Sequence, residues 1–282
     1  MRFYLMTDYE GVAGVYAWER RDDDSAENFD QRMRGRRLLA GEVQAAVDGF
    51  VAGGATQVIV NDGHGAGYTI DLDLLDEKPL VIHGTQRPFW LPYLDSNCQA
   101  TGLVGAHAKA GTPHANLCHT MSGSIRRYVL NGIEMGEIGL QAAIAGHYGV
   151  PFVFLSGDAH ACREVEALIP GVVTVPVKLG TSLTSAITRA PQEARDMIRR
   201  GAERAMGLVG EIEPLEIGSP VLFREELNGP GFDEEKPPAH SRVLDAHTRE
   251  VEAEDVIDLC NKLYGYDPAW QAPPLPPGWP GQ

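Results

Sequence analysis

Acidic residues and histidines follow several short apolar runs near the start of the chain, each where a strand would end. Asp8 and Glu10 come after the run 3–7, while His64 and His107 follow two later runs. The carboxyl ends of neighbouring parallel strands meet at one edge of a sheet and form a crevice. Carboxylates and neutral imidazoles suit zinc and related divalent ions without a thiolate. The combination indicates a metal site, although any one acid at a strand end commonly caps a turn or helix.

A polar loop rich in histidine follows the last of these runs. The loop 107–123 carries a lysine, Lys109, and two further histidines, His114 and His119. Beside a metal crevice, such a histidine can move a proton or stabilise a transition state. Lys109 could hold a substrate carboxylate, or it could be a solvated surface lysine. Further on, Glu137 opens an apolar helix, where a negative charge is favourable in itself.

The elements that must position these residues alternate over the first half of the chain. Apolar runs predict strands at 3–7, 58–60, 80–82, 102–105, 128–130, 152–155 and 172–177. Apolar periodicity predicts helices at 28–52, 137–148 and 164–168. Short apolar strands that alternate with helices indicate an α/β fold with a mostly parallel sheet flanked by helices.

The pattern changes after about residue 190. A charged amphipathic helix at 191–206, strands at 215–226 and 241–247, and a helix at 252–263 predict a second, smaller α+β lobe. Prolines crowd the end of the chain and predict an extended tail without a core of its own. We therefore expect three regions, which are a metal-binding catalytic domain over 1–190, a lobe over 191–264 and a Pro-rich tail over 265–282.

Composition narrows the classes of partner. The 282 residues include 24 Lys and Arg against 39 Asp and Glu, a formal net charge of −15. Nucleic acids and anionic membranes need clustered positive charge, so neither is an expected partner. No apolar run reaches the roughly 20 residues of a membrane span. The four scattered cysteines form no CxxC, and the N-terminus shows no signal-peptide pattern, so we expect a cytoplasmic protein.

Four blocks of sequence carry a more specific signal. They are residues 7–11, 61–64, 105–121 and 131–139. In order and spacing these blocks resemble the zinc D-aminopeptidases that assemble into self-compartmentalising rings, and the resemblance extends over roughly the first 190 residues.

The resemblance implies a centre of two Zn²⁺ ions per chain, with other divalent metals such as Mn²⁺ as alternatives. The implied metal ligands are Asp8, Glu10, His64, His107 and Glu137. His119 falls on the family's catalytic histidine, with His114 as its rival because the loop is one residue longer here. The family's activity is removal of an N-terminal D-amino acid from short peptides, and its assembly is a homodecameric ring around an inner channel.

Metal-assisted amide hydrolysis is the mechanism we expect, with Asp8 bridging two ions. Asp62 either orients a ligand histidine or caps a turn. Residues 12–30, 88–90 and the tail are candidates to line the substrate pocket. Two alternatives stay open. One is an amidase of the same fold that acts on a small non-peptide amide, and the other is a non-catalytic metal- or nucleotide-binding module.

Overall fold

The computed structural model describes residues 1–65 and 67–279, and its elements form two β-sheets with helices around them. In chain order the elements are β1 (Arg2–Thr7), α1 (Ala26–Ala52), β2 (Gln57–Asp62), β3 (Pro79–Ile82), β4 (Ala100–Ala106), β5 (Ile125–Leu130), β6 (Ile133–Met135), α2 (Glu137–His147), β7 (Phe152–Asp158), α3 (Ala159–Leu168), β8 (Val173–Ser182), β9 (Ser185–Thr188), α4 (Pro191–Met206), β10 (Val221–Leu227), β11 (Arg242–Asp245), β12 (Thr248–Ala253) and α5 (Val256–Tyr264). A short 3-10 helix lies at Leu72–Leu74.

The first sheet has seven strands in the order β3-β2-β1-β4-β7-β8-β9. All neighbours pair in parallel except β8 and β9, which are antiparallel. Every residue of β4 and β7 is buried, as expected for strands covered on both faces. The chain builds outward from β1 through β2 to β3 and then returns to place β4 on the other side of β1. This reversal makes the carboxyl edge between β1 and β4 a topological switch point, where open α/β sheets bind ligands.

Helices cover this sheet and complete the core. Helices α1 and α4 pack against each other and against the sheet, and so do α2 and α3. Phe50 of α1 stacks on Phe3 with ring centroids 3.7 Å apart and meets Phe154 of β7 edge-on at 5.3 Å. Among the helices in the described residues, none combines the length and the apolar character needed to cross a membrane.

The second sheet is smaller and antiparallel, with the order β11-β12-β10-β5-β6. Helix α5 packs on it through β10 and β12. The predicted fold class, a mostly parallel sheet flanked by helices with a smaller α+β lobe, is confirmed. The second sheet contains strands from before and after residue 190, because β5 and β6 precede that residue and β10 to β12 follow it. Helix α4, which follows residue 190, packs on α1 of the first half of the chain. The chain division at residues 190 and 264 stays a prediction, and residues 280–282 of the predicted tail lie outside the described residues.

Several boundaries after residue 200 differ from the sequence prediction. The strand predicted at 215–226 begins only at Val221. The strand predicted at 241–247 corresponds to β11 and the turn after it, and β12, which forms a hairpin with β11, lies outside every predicted strand. The helix predicted at 252–263 begins at Val256, because β12 continues to Ala253 and the Asp255 side chain caps the helix there. The short strands β6 and β9 are partly exposed and have no apolar run that would predict them.

Candidate metal centre

The site begins where β1 and β4 end side by side. Asp8 follows β1 and donates its backbone N–H to the carbonyl of Val104 at 2.8 Å, while His107 follows β4. The N–H of Gly11 bonds the carbonyl of Gly105 at 2.7 Å. Gly105 has φ +80°, and a Cβ on it would lie 2.0 Å from the carbonyl oxygen of Asp8. Only glycine permits this approach, so it fixes Asp8 beside His107.

One group of candidate ligands joins β1 to the loop after β2. Nδ1 of His64 lies 3.2 Å from Oδ1 of Asp8 and 3.0 Å from Oε2 of Glu10. One donor atom from each of these three residues lies within 4.8 Å of the others. Oε2 of Glu10 is buried and, in the described residues, has no polar partner apart from the facing Nδ1 of His64. A buried carboxylate oxygen that faces only an imidazole nitrogen fits a metal ligand better than a structural acid.

A second group surrounds the other oxygen of Asp8. Nε2 of His107 lies 3.1 Å from Oδ2 of Asp8 and 3.5 Å from Oε1 of Glu137, the first residue of α2. Nε2 of His119 lies 3.7 Å from the same oxygen of Glu137, and its ring stacks on His107 at 4.0 Å. Asp8 therefore presents one oxygen to each group, the position required of a bridging carboxylate.

Backbone carbonyls fix which ring nitrogen of two histidines faces the site. Nδ1 of His107 lies 2.9 Å from the carbonyl oxygen of Ala108, and Nδ1 of His119 lies 3.0 Å from that of Leu117. A carbonyl only accepts, so each Nδ1–H is the donor. Nε2 of each ring is then the nitrogen left to bind a metal, and it faces Glu137. Such hydrogen bonds are typical of histidines that bind metals through the opposite nitrogen.

The carboxylates of this centre lack fixed positive partners. Among residues 1–65 and 67–279, only histidine nitrogens lie within ion-pair distance of the carboxylates of Asp8, Glu10 and Glu137. Burial by itself raises the pKa of Asp8, but His107 and His64 hold it well below its ordinary value. Burial by itself lowers the pKa of His107, but the negative charge of Asp8 raises it well above its ordinary value. Burying these negative charges costs free energy unless positive charge lies beside them, and divalent cations would supply that charge.

A buried carboxylate outside the predicted ligand set, that of Glu19, contacts the ring nitrogen of His64 that faces away from Asp8 and Glu10. Oε2 of Glu19 lies 3.4 Å from Nε2 of His64 and 2.6 Å from Nη2 of Arg21. Arg32 and Arg36 of α1 reach Oε1 of Glu19 at 3.4 and 3.5 Å. Burial by itself raises the pKa of Glu19, but the hydrogen bonds from His64 and Arg21 hold it well below its ordinary value. Glu19 is therefore an ionised acceptor for the outer nitrogen of His64.

Asp62, considered above as the partner of a ligand histidine, has the other of its two predicted roles. Its Oδ2 accepts from the N–H groups of Thr69 and Ile70 at 2.7 and 3.0 Å. These bonds close the loop after β2, the role of a turn-capping acid. Glu19 faces His64 instead. It lies in the irregular segment between β1 and α1, where neither periodicity nor a strand end marks it.

The other candidates of the polar loop lie apart from both ligand groups. His114 is exposed, and Nζ of Lys109 pairs with Oε1 of Glu134 at 3.2 Å. All six residues predicted for the site therefore come together, and His119 rather than His114 is the loop histidine beside them.

An open cleft of about 530 Å³ leads to both groups. Trp18, Trp90 and Tyr266 line it, so each of the three segments expected to line the pocket contributes one aromatic side chain. Trp18 meets the ring of His119 edge-on with centroids 5.2 Å apart. Arg87 also lines the cleft. The cleft has the mixed apolar and polar walls of a small-molecule site.

Fold and site together define an α/β protein with two adjoining groups of carboxylates and imidazoles that could hold metal ions, at the switch point of its sheet. The family model of the M55 peptidases, described as D-aminopeptidase, matches residues 1–262. The chain is 30% identical over 232 residues to a D-aminopeptidase of Bacillus subtilis strain 168, covering 81% of this chain and 82% of the relative. The chain therefore belongs to the M55 family of D-aminopeptidases.

A solved structure agrees in fold over almost the whole chain. It is the Zn-dependent D-aminopeptidase DppA from Bacillus subtilis, described as a self-compartmentalizing protease. The TM-score is 0.87 at 25% sequence identity, and the match covers 94% of this chain and 96% of the other.

Proposed function

We propose that the protein is a two-zinc aminopeptidase that releases N-terminal D-amino acids from short peptides. The single observation that carries the metal count is the position of Asp8, with one oxygen facing each group of candidate ligands. We infer zinc as the metal, and D-amino acid peptides as the substrates, because the relatives are a D-aminopeptidase and a Zn-dependent D-aminopeptidase.

Each ion would have its own ligands beside the shared aspartate. Glu10 and His64 would hold one zinc, and His107 and Glu137 the other, with Asp8 between them. Zinc bound there supplies Lewis acidity toward the scissile carbonyl and lowers the pKa of a coordinated water. The donors are imidazole and carboxylate only, so Mn²⁺ is a feasible substitute.

His119 is the proposed catalytic residue. Its Nδ1–H is committed to the carbonyl of Leu117, so Nε2 is the atom available to exchange a proton with the reacting groups in the cleft. Trp18 packs edge-on against the ring of His119. Met121, two residues further on, donates its N–H to Oε1 of Glu137 at 2.7 Å, which holds the histidine loop against α2.

We also propose a homo-oligomeric ring, and a decamer in particular. The ring is supported by the description of the solved relative as self-compartmentalizing, and the decamer by the family resemblance alone. Sedimentation equilibrium of the full chain tests the stoichiometry. The cytoplasmic location stays a prediction.

The activity is tested by assaying one pair of dipeptides that differ only in the configuration of the N-terminal residue, with zinc present. We expect hydrolysis of the D-isomer, and its loss in Asp8→Asn but not in the control Asp22→Asn, which changes an exposed acid. Equal rates for the two isomers would contradict the D-preference. Hydrolysis of non-peptide amides but of neither dipeptide would favour the amidase alternative.

A further inference from the structure

Permanent positive charge is scarce in the cleft. Of the described residues that line it, Arg87 is the single Lys or Arg, and the other side chains that line it and carry a charge near neutral pH are carboxylates and histidines. A peptide substrate carries a carboxylate at its C-terminus. A cationic side chain in the same cleft as the metal centre is therefore a candidate to recognise that end of the substrate.

The guanidinium of Arg87 has no anionic partner in the described part of the chain. Its Nη2 donates to the backbone carbonyl of Asp62, and its Nε is buried without an acceptor. The nearest acid that acts on it is Asp62, which lies beyond ion-pair distance and is bound to the N–H groups of Thr69 and Ile70.

Other arginines beside the site differ in this respect. Arg21, Arg32 and Arg36 all pair with the carboxylate of Glu19. Arg87 is partly buried, and burial lowers its pKa below the ordinary value. A partly desolvated charge without a counterion costs free energy, and an anionic ligand that binds it offsets that cost.

We propose that Arg87 forms a carboxylate subsite that binds the free C-terminal carboxylate of a short peptide in the cleft. The planar fork of a guanidinium matches the two oxygens of a carboxylate. Trp90 and Tyr266 line the same cleft and offer apolar walls for the intervening side chain. The proposal rests on the proposed peptidase function for its substrate, and it favours peptides with a free carboxylate over amidated peptides and small neutral amides.

The test compares a D-aminoacyl dipeptide with the same dipeptide amidated at its C-terminus. For the wild-type protein with zinc, we expect kcat/KM about 10- to 100-fold higher for the acid, the range for a hydrogen-bonded charge. In Arg87→Gln the ratio of acid to amide falls to about 1, mainly through KM. Arg87→Lys keeps part of the preference. Arg126→Gln, which changes an exposed arginine, keeps all of it.

A second measurement separates this proposal from the proposed function. Calorimetric binding of both dipeptides to chelator-treated protein reports the subsite without turnover, and circular dichroism checks that each variant is folded. Tighter binding of the acid, lost in Arg87→Gln, supports the subsite even if neither dipeptide is hydrolysed, a result that would overturn the peptidase function alone. Equal binding and equal turnover of acid and amide by the wild-type protein would overturn the subsite, as would an unchanged acid-to-amide ratio in folded Arg87→Gln.

Discussion

Oε2 of Glu19 lies 3.4 Å from Nε2 of His64, on the side of the imidazole opposite to Asp8 and Glu10. The contact fixes the ring so that Nδ1 faces the two carboxylates. Because Glu19 also binds Arg32 and Arg36, it connects the candidate metal centre to helix α1.

Replacing Glu19 by Gln should weaken zinc binding. The ionised acceptor for His64 is lost and two arginines of α1 lose their partner, so we expect the affinity of the centre to fall about 10- to 100-fold. Competition with a chromophoric chelator measures this. Glu27→Gln, an exposed acid in the first turn of the same helix, is the matched control and should bind zinc as the wild-type protein does. Equal affinities for the two variants would show that Glu19 does not support the centre.

Replacing His119 by Ala should separate catalysis from metal binding. We expect kcat to fall about 10²- to 10⁴-fold, the usual contribution of a positioned proton-transfer group. The zinc content by mass spectrometry should not change, because His119 is outside the proposed ligand set. His114→Ala changes the exposed histidine of the same loop and should keep wild-type kcat. Near-normal turnover by His119→Ala would refute the assigned role.

Replacing Gly105 by Ala should destabilise the site and the fold together. The new Cβ would lie 2.0 Å from the carbonyl oxygen of Asp8, and φ is +80° at this position. We expect the free energy of unfolding to fall by about 2–4 kcal/mol. Gly229→Ala, which meets nothing within 4 Å, should change it little. Urea unfolding of both variants checks the prediction, and equal stability of the two would refute the close approach.

Glu42 predicts a pH dependence of stability. It is fully buried in α1, and desolvation raises its pKa from 4.5 to about 7, although the N–H of Ala13 donates to it. Between these two values the folded protein holds a proton that the unfolded chain releases, so stability falls as pH rises from about 4.5 to about 7 and is then level.

A neutral side chain at this position should remove that fall. For Glu42→Gln we expect the stability relative to wild type to rise by about 3 kcal/mol between pH 4.5 and pH 8, since one pKa unit corresponds to about 1.4 kcal/mol. Urea unfolding at several pH values gives the two profiles. Parallel profiles would show that Glu42 titrates normally.

The sequence predicts the parallel sheet and three of the six site residues for one physical reason. Asp8, His64 and His107 directly follow buried strands. Because the carboxyl ends of neighbouring parallel strands lie at one edge of the sheet, residues that follow those strands lie close together in space. Glu137 and His119 needed the family resemblance, since an acid at a helix start and a histidine in a loop have ordinary structural roles.

The features that the sequence did not predict depend on contacts between segments that are distant along the chain. Glu19 and Arg87 lie in irregular segments with no periodicity, and their roles follow from how those segments fold over the crevice. Strand β12 (Thr248–Ala253) is missed because charged and apolar side chains alternate along it and form no apolar run.

Metal content and activity measured on one preparation test the central claim most directly. Chelator-treated protein is titrated with zinc while bound zinc per chain and hydrolysis of a D-aminoacyl dipeptide are recorded. We predict no activity without metal and full activity at two zinc ions per chain, with Asp8→Asn unable to reach that state. Hydrolysis by the metal-free protein, or full activity of Asp8→Asn, would contradict the two-zinc account.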